Sequence, residues 1–193
     1  MDSSDVNKRL RADVWPALRD HGFDRRSSRT AWRDQPDQVD VINFQSFNAY
    51  NARVLNITTY SFQINLGVHP RCLTTDAIPS KDGLLRPLEY HCDFRYSLTG
   101  PFKAPGTTRG TLWRIDEHGS NLAEVVDQAR AALLADGLWW FEALSGLDAL
   151  LRTARESPEN MDEVWGMGNI GSPHRLDLVK RLERASRRSS GID

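Results

Sequence analysis

The fold is decided by two stretches of the sequence, Asn43–Phe47 (Asn-Phe-Gln-Ser-Phe) and Phe62–Gly67 (Phe-Gln-Ile-Asn-Leu-Gly). In each stretch a carboxamide side chain alternates with a large apolar one, which is the period-two pattern of a strand with one buried face. Two such strands side by side would form a sheet face lined by amides. Asn and Gln are not favoured in ordinary strands, so this face is the first candidate for a functional surface.

The same alternation predicts the other strands of a sheet. The two central strands are expected over Val39–Phe47 and Tyr60–Val68, where β-branched and aromatic residues lie between turn-forming residues. An edge hairpin is predicted over Gly22–Arg33, a third strand over Tyr90–Leu98 and a short last strand over Thr111–Ile115.

Apolar residues at helical spacing predict helices at both ends of the chain. A first helix is expected from a cap at Ser3 or Ser4 to about His21, with a kink or a restart forced by Pro16. Helices are then predicted from an Asn121 cap to Gly137, from there to Ser157-Pro158, briefly from there to Trp165, and from Ser172-Pro173 to about Arg187.

These elements predict one domain, residues 1–193, of the α+β class, because strands come first and helices later without βαβ alternation. We expect an antiparallel sheet of about five strands with an N-terminal helix and a C-terminal helical block packed on it. Helix and sheet would occupy about residues 1–118, the helical block about 119–187, and a disordered tail 188–193.

Composition narrows the class of function. The chain has 193 residues, is 39% hydrophobic and carries a formal net charge of −1, so nothing draws it globally to nucleic acid or an anionic membrane. No apolar run reaches the roughly 20 residues that span a bilayer. Two cysteines and an N-terminus without signal-peptide character predict a cytoplasmic protein with reduced thiols.

For three motifs a purely structural role is better supported than a functional one. Gly166–Gly171 spells a dinucleotide-binding pattern, but it lacks the preceding strand and is expected to link two helices. A metal set of His69, Cys72, His91 and Cys92 is disfavoured, because two of its members are adjacent on a predicted strand and point to opposite faces. The segment Asp116–His118 is expected to be a solvated turn before a helix. No cofactor and no metal are therefore predicted.

If the three longest strands are neighbours, their polar residues share one face of the sheet. That face could be a ligand or partner groove, a hydrogen-bonded network buried under the C-terminal helices, or an open solvated surface. The planar guanidinium of an arginine among amides suits a carboxylate, a phosphate or a peptide backbone. The predicted binding residues are Asn43, Gln45, Gln63, Asn65, Asp93 and Arg95.

The order of these blocks resembles a known family. The blocks are Gly22-Phe23, Trp32-Arg33, Asn43–Ser46, Asn65-Leu66-Gly67 and Trp139-Trp140, with a Cys92-x-x-Arg95 strand between the last two. They are similar to the bacterial domain-of-unknown-function family number 4304, over about residues 5–145. The resemblance implies a small α+β domain without established activity, and it supplies no catalytic residues.

The sequence leaves three functions open. The first is a non-catalytic protein that binds a small anionic ligand, a peptide or a protein through the amide-lined face. The second is an immunity-like inhibitor of a partner protein. The third is a hydrolase or nuclease-like enzyme, which requires its acidic residues to converge on one point together with Arg95. Those acidic-site residues are Asp93, Asp116, Glu117 and His118.

Overall fold

The computed structural model describes residues 1–75 and 78–189. Its strands are β1 Arg25–Arg26, β2 Thr30–Asp34, β3 Gln38–Ser46, β4 Phe62–Pro70, β5 Ser80–Lys81, β6 Leu84–Leu85, β7 Phe94–Ser97, β8 Phe102–Lys103 and β9 Gly110–Trp113. Its α-helices are α1 Ser3–Arg9, α2 Trp15–Arg19, α3 Ala49–Leu55, α4 Leu122–Ala132, α5 Leu138–Ala143, α6 Leu147–Glu156 and α7 Pro173–Ser189. The π-helical turns Leu10–Val14 and Leu133–Gly137 join α1 to α2 and α4 to α5.

The predicted α+β architecture is confirmed. One seven-stranded antiparallel sheet runs in the order β1-β2-β3-β4-β9-β8, and β7 pairs with β4 on the edge that β9 also uses. The strands β5 and β6 form a separate hairpin. The sheet has seven strands where about five are expected. The predicted edge hairpin is present as β1 and β2, whereas the unpredicted β8, with two residues, is too short to show a period. The central pair places Asn43 opposite Asn65 and Gln45 opposite Gln63.

One face of the sheet carries the main core. Residues from β3 and β4 such as Ile42, Phe44 and Leu66 are completely or almost completely buried there, together with residues of the N-terminal and C-terminal helices. Phe44 contacts Trp15 of α2 edge to face at 5.4 Å. The C-terminal helices thus contribute to the apolar face, and they do not cover the amides as one of the alternatives supposed.

The alternation of the predicted strand Tyr90–Leu98 would place Cys92 on the apolar face with Phe94, but Cys92 lies on the opposite face. It packs with Trp32, Val39 and Val41 in a second, smaller cluster, on the same side of the sheet as the amides. The expected long third strand begins only at Phe94, because the 3₁₀ turn Glu89–His91 precedes it and takes Cys92 out of the strand alternation.

An ion pair is buried on the helix-covered side. Arg33 donates from Nε to Asp40 Oδ2 at 2.7 Å, and its guanidinium lies 5.0 Å and 5.4 Å from the rings of Phe23 and Phe141. Gln38 donates to the other carboxylate oxygen at 2.7 Å. Burial raises the pKa of the Asp40 carboxyl, and the Arg33 charge opposes that rise. This network joins β2 and β3 to α5 and has no signal in the sequence.

The N-terminal helix deviates where Pro16 predicts it. The backbone passes through the π turn before α2, which starts at Trp15 with Pro16 in its first turn. Proline has no N–H and fits only at the start of a helix. The cap is Asp2, not Ser3 or Ser4: its side chain accepts from the N–H groups of Ser4 and Asp5.

The C-terminal helices differ from expectation in four places. The single helix predicted after Gly137 is divided into α5 and α6, and Gly146 with a positive φ precedes α6. Gly137 does not end a helix but is buried in a π turn that continues into α5. Residues 158–165 are not helical, whereas the unpredicted α3 follows β3. The helix α7 extends to Ser189, and the rest of the predicted tail lies outside the described residues. In the described part of the chain, no helix has the length and apolarity to cross a membrane.

Candidate binding site on the amide face

Four polar side chains stand in one row across the sheet. The register places Thr30 of β2 opposite Asn43, Asn43 opposite Asn65, and Asn65 opposite Ser97 of β7. Directly opposite residues of antiparallel strands point to the same face. The prediction that the four amides share one face is therefore confirmed, and the row gains two hydroxyls that sequence reasoning did not include.

The side chains of this row are hydrogen-bonded to one another and to Gln45. Asn43 donates to Thr30 at 3.2 Å, Asn65 donates to Gln45 at 2.6 Å, and Ser97 donates to Asn65 at 3.0 Å. Asn65 is only 5% exposed. Burial of a carboxamide is tolerated when its donors and acceptors are used, so Asn65 contributes chiefly to the fold.

A second pair beside this row, Gln45 opposite Gln63, is open. Gln45 is exposed, and Gln63 is half-buried with no side-chain hydrogen bond among the described residues. Gln63 and Ser97 line a cleft of about 450 Å³ that we call the amide cleft. Its other walls are apolar side chains of β9, α3 and the segment before α7, together with the turn before β9. They include Phe47, Leu55, Leu112, Met161, Thr107 and Arg109.

Arg109 is the cation of this cleft, and it was not predicted. Its guanidinium donates to the backbone oxygens of Asp162 (2.9 Å) and Ser97, and it lies 4.9 Å from the ring of Tyr96. The Asp162 carboxylate is 3.5 Å away. Arg109 sits in a turn, outside any strand alternation, so its only signal in the sequence is its place two residues before the predicted last strand.

Arg95 lies on the predicted face but does not line the cleft. Its guanidinium stacks on Trp165 at 3.9 Å, and the two residues also pair through their backbones. It belongs to the end of the face that the segment before β7 covers. Burial there raises the pKa of Glu89, and the positive charge of Arg95 opposes that rise. The predicted role of Arg95 as the cation of an open amide surface therefore does not fit this position.

Asp93 is likewise outside the cleft. Its carboxylate is 3.1 Å from Nε2 of His174 at the start of α7. Burial raises the pKa of Asp93, and the neighbouring His174 opposes that rise. The contact ties the start of β7 to α7.

The residues of the acidic-site alternative do not converge. Asp116 accepts hydrogen bonds from the backbone of His118, Ser120 and Asn121 and from the Ser120 hydroxyl, and these bonds lower its pKa to about 2. It therefore holds a turn. Ile115, just before it, bonds Ser61 at one end of β4, whereas Asp93 precedes the pairing of β7 with Val68. The seven residues from Phe62 to Val68 separate the two sites by about 20 Å.

The structure adds no support to the metal motif or to the nucleotide motif. Among the described residues, no group of three or more His, Cys, Asp or Glu side chains is placed to hold a metal ion. His69 is buried beside Thr74, and burial lowers its pKa to about 4. The glycine-rich segment Gly166–Gly171 connects the end of α6 to α7, where Gly168 gives its carbonyl to the buried Arg175.

Comparison with known proteins identifies a family of unknown function. No curated protein and no solved structure matches the chain. The family model described as Domain of unknown function (DUF4304) matches residues 14–143, a span that runs from α2 through the seven-stranded sheet to the end of α5 and includes all four amides. The chain belongs to this family.

Proposed function

We propose that the protein is a non-catalytic binding protein whose amide cleft takes a polar, peptide-like segment of a partner protein. The observation that carries the proposal is Gln63, a strand carboxamide that lines a cleft and whose side chain has no hydrogen-bond partner among residues 1–75 and 78–189. An amide in this position is ready to exchange hydrogen bonds with a ligand, because it offers both two donors and an acceptor.

The surroundings of Gln63 support a peptide over a small anion. The guanidinium of Arg109 is already engaged with two backbone oxygens and the Asp162 carboxylate, so it is not a free receptor for negative charge. The walls mix apolar side chains with hydroxyls and amides, as a peptide with its alternating backbone polarity requires. A volume of about 450 Å³ lies within the ordinary range of ligand sites.

The proposed location is the cytoplasm. Cys72 and Cys92 are both free, and unpaired thiols persist in a reducing compartment.

The test uses a phage-displayed library of random peptides selected against the wild-type protein. Selected peptides are then titrated into wild type, Gln63→Leu and Gln128→Leu. Gln128 is an exposed glutamine of α4, remote in the fold from the amide cleft, and it serves as the matched control. We expect Gln63→Leu to weaken binding about 5- to 150-fold, since an unmet hydrogen bond at a buried contact costs about 1–3 kcal/mol.

The outcomes separate the alternatives. Equal affinity of all three proteins for every selected peptide would refute the amide cleft as the site. The immunity-like version of the proposal makes an added demand: the segment must belong to a protein whose activity is inhibited in a stoichiometric complex. Affinity capture from the native cell with wild type and Gln63→Leu as paired baits examines that demand.

A further inference from the structure

A second cleft, of about 510 Å³, opens on the other side of Asp162 from the amide cleft. We call it the aromatic cleft, because Tyr96, Trp139 and Trp140 line it. Trp139 is 71% exposed, whereas Trp140 is buried. Large indole rings contribute strongly to burial and binding, so an exposed tryptophan at a cleft is a candidate contact for a partner.

The inner wall of the aromatic cleft is fixed. Trp140 stacks on Tyr96 with ring centroids 5.8 Å apart and planes 20° apart, and its indole N–H donates to the backbone oxygen of Glu163 at 2.8 Å. Arg109 lies 4.9 Å from the Tyr96 ring, so one cation already uses this aromatic group. The side chain of Trp139 takes part in no ring contact, ion pair or hydrogen bond among the described residues, which leaves both faces of its indole available.

The charges around the aromatic cleft are negative. Its charged lining residues are Asp136, Asp162 and Glu163. Asp162 is close to Arg109, whereas Asp136 and Glu163 have no ion pair in the described part of the chain. Asp136 precedes Trp139 by three residues in a continuous helical segment, so the carboxylate and the indole stand on the same side of the helix. An aromatic face beside carboxylates attracts a cation.

We propose that the aromatic cleft seats an arginine side chain of the partner segment. Arginine fits because its planar guanidinium stacks on an indole while its N–H fork reaches a carboxylate. Asp162 lines both clefts, so a segment whose backbone lies in the amide cleft continues directly to the aromatic one. The inference deepens the proposed function, and rests on it for the peptide character of the ligand.

The test for the cation uses a capped tripeptide, acetyl-Gly-Arg-Gly-amide, with the neutral citrulline isostere as its control. Each is titrated into ¹⁵N-labelled protein up to about 10 mM, which is about tenfold above a dissociation constant of about 1 mM, as for a weak ligand. We expect saturable shifts of the Trp139 indole signal and the Asp136 amide with the arginine peptide, and binding roughly fivefold weaker with citrulline. Absence of saturable shifts, or equal binding of the isostere, would overturn the inference.

Two pairs of variants locate the site. Trp139→Leu and Asp136→Asn are each expected to weaken the arginine peptide roughly fivefold. The controls are Tyr90→Leu, an exposed aromatic residue outside the cleft, and Asp177→Asn, an exposed aspartate of α7. The controls are expected to leave binding unchanged. Losses that are equal in the cleft variants and the controls would contradict the placement.

The two proposals fail separately. If the arginine tripeptide binds at Trp139 while library-selected peptides ignore Gln63→Leu, the aromatic site stands and the amide cleft falls. If selected peptides depend on Gln63 but show no enrichment of arginine and no loss with Trp139→Leu, the arginine inference alone is refuted.

Discussion

Asn65 donates a hydrogen bond of 2.6 Å to Oε1 of Gln45 on the neighbouring strand. Asn65 is buried and Gln45 is exposed, so this bond crosses the boundary between the closed and the open part of the amide face. On the closed side, Asn43 and Asn65 are hydrogen-bonded to neighbouring side chains. On the open side Gln63 has only the cleft before it.

This boundary predicts that Asn65→Ala destabilises the fold and that Gln63→Ala leaves its stability nearly unchanged. Asn65→Ala deprives the buried hydroxyl of Ser97 and the carboxamide of Gln45 of their partner, and is expected to lower the free energy of unfolding by about 1–3 kcal/mol, chiefly because the Ser97 hydroxyl is left unpaired. Gln63→Ala breaks no side-chain hydrogen bond, and is expected to change it by less than about 0.5 kcal/mol. Urea unfolding of both variants measures the difference. A loss of stability in Gln63→Ala as large as in Asn65→Ala would show that Gln63 serves the fold.

The buried ion pair between Arg33 and Asp40 gives a second prediction. Asp40→Leu leaves the Arg33 guanidinium between two aromatic rings without its carboxylate, and is expected to cost about 3–5 kcal/mol. The double variant Arg33→Met/Asp40→Leu removes both charges, so it is expected to be more stable than Asp40→Leu alone. Urea unfolding of the two single variants and the double variant tests this coupling. Additive losses would mean that the two charges do not interact.

His69 predicts a pH dependence of stability. Its pKa is about 4 in the fold because of burial, against an ordinary value of 6.5. The unfolded chain therefore binds more protons between these two values, and stability falls as the pH is lowered through 6.5 toward 4. At 1.36 kcal/mol per unit, lowering the pH from 7 to 5 removes roughly 2 kcal/mol.

The comparison variant for this effect is His69→Gln, which retains a polar group toward Thr74 but does not titrate in this range. Other groups contribute to the pH dependence of both proteins, so the quantity to measure is the difference in unfolding free energy between pH 7 and pH 5. We expect that difference to be smaller in His69→Gln by roughly 2 kcal/mol. Parallel pH curves would show that His69 protonates as easily in the fold as in the unfolded chain.

The central sheet was predictable because its period reports directly on burial. On β3 and β4 every second side chain, such as Phe44 and Ile64, enters the main core, and the amides between them inevitably share the other face. The same reasoning failed at Cys92, since a 3₁₀ turn breaks the alternation without leaving a mark in the residue types. A period is informative only as long as the chain stays extended.

The candidate site was predictable only in part, for a related reason. Gln63 belongs to a long strand, so its face followed from its position. Arg109 and Trp139 lie on a turn and a helix that reach their clefts through the tertiary fold, and local spacing carries no information about such long-range approach. Arg95 shows the converse, since its face was right while its neighbour, Trp165, arrives from a distant segment.

The contact between Gly67 of β4 and Cys92, in the segment before β7, gives a further prediction. A Cβ at Gly67 would lie 2.7 Å from Sγ of Cys92 and 3.0 Å from its Cβ. Gly67→Ala is therefore expected to lower the free energy of unfolding by about 1–3 kcal/mol through overpacking. Cys92→Ala removes the sulfur, which is the nearer obstacle, at the cost of a small cavity.

In the double variant the new methyl group occupies part of the space that the sulfur leaves. We expect the double variant to be more stable than the sum of the two single losses by about 1 kcal/mol, because residues in contact do not act additively. Thermal and urea unfolding of the four proteins in this cycle measure the coupling. A control is Gly83→Ala with Cys92→Ala, since a Cβ at Gly83 meets nothing within 4 Å. The positive φ of Gly83 strains the alanine equally in the single and the double variant, so this strain cancels in the coupling energy. Coupling as large in the control as at Gly67 would mean that Cys92 does not seat against the sheet.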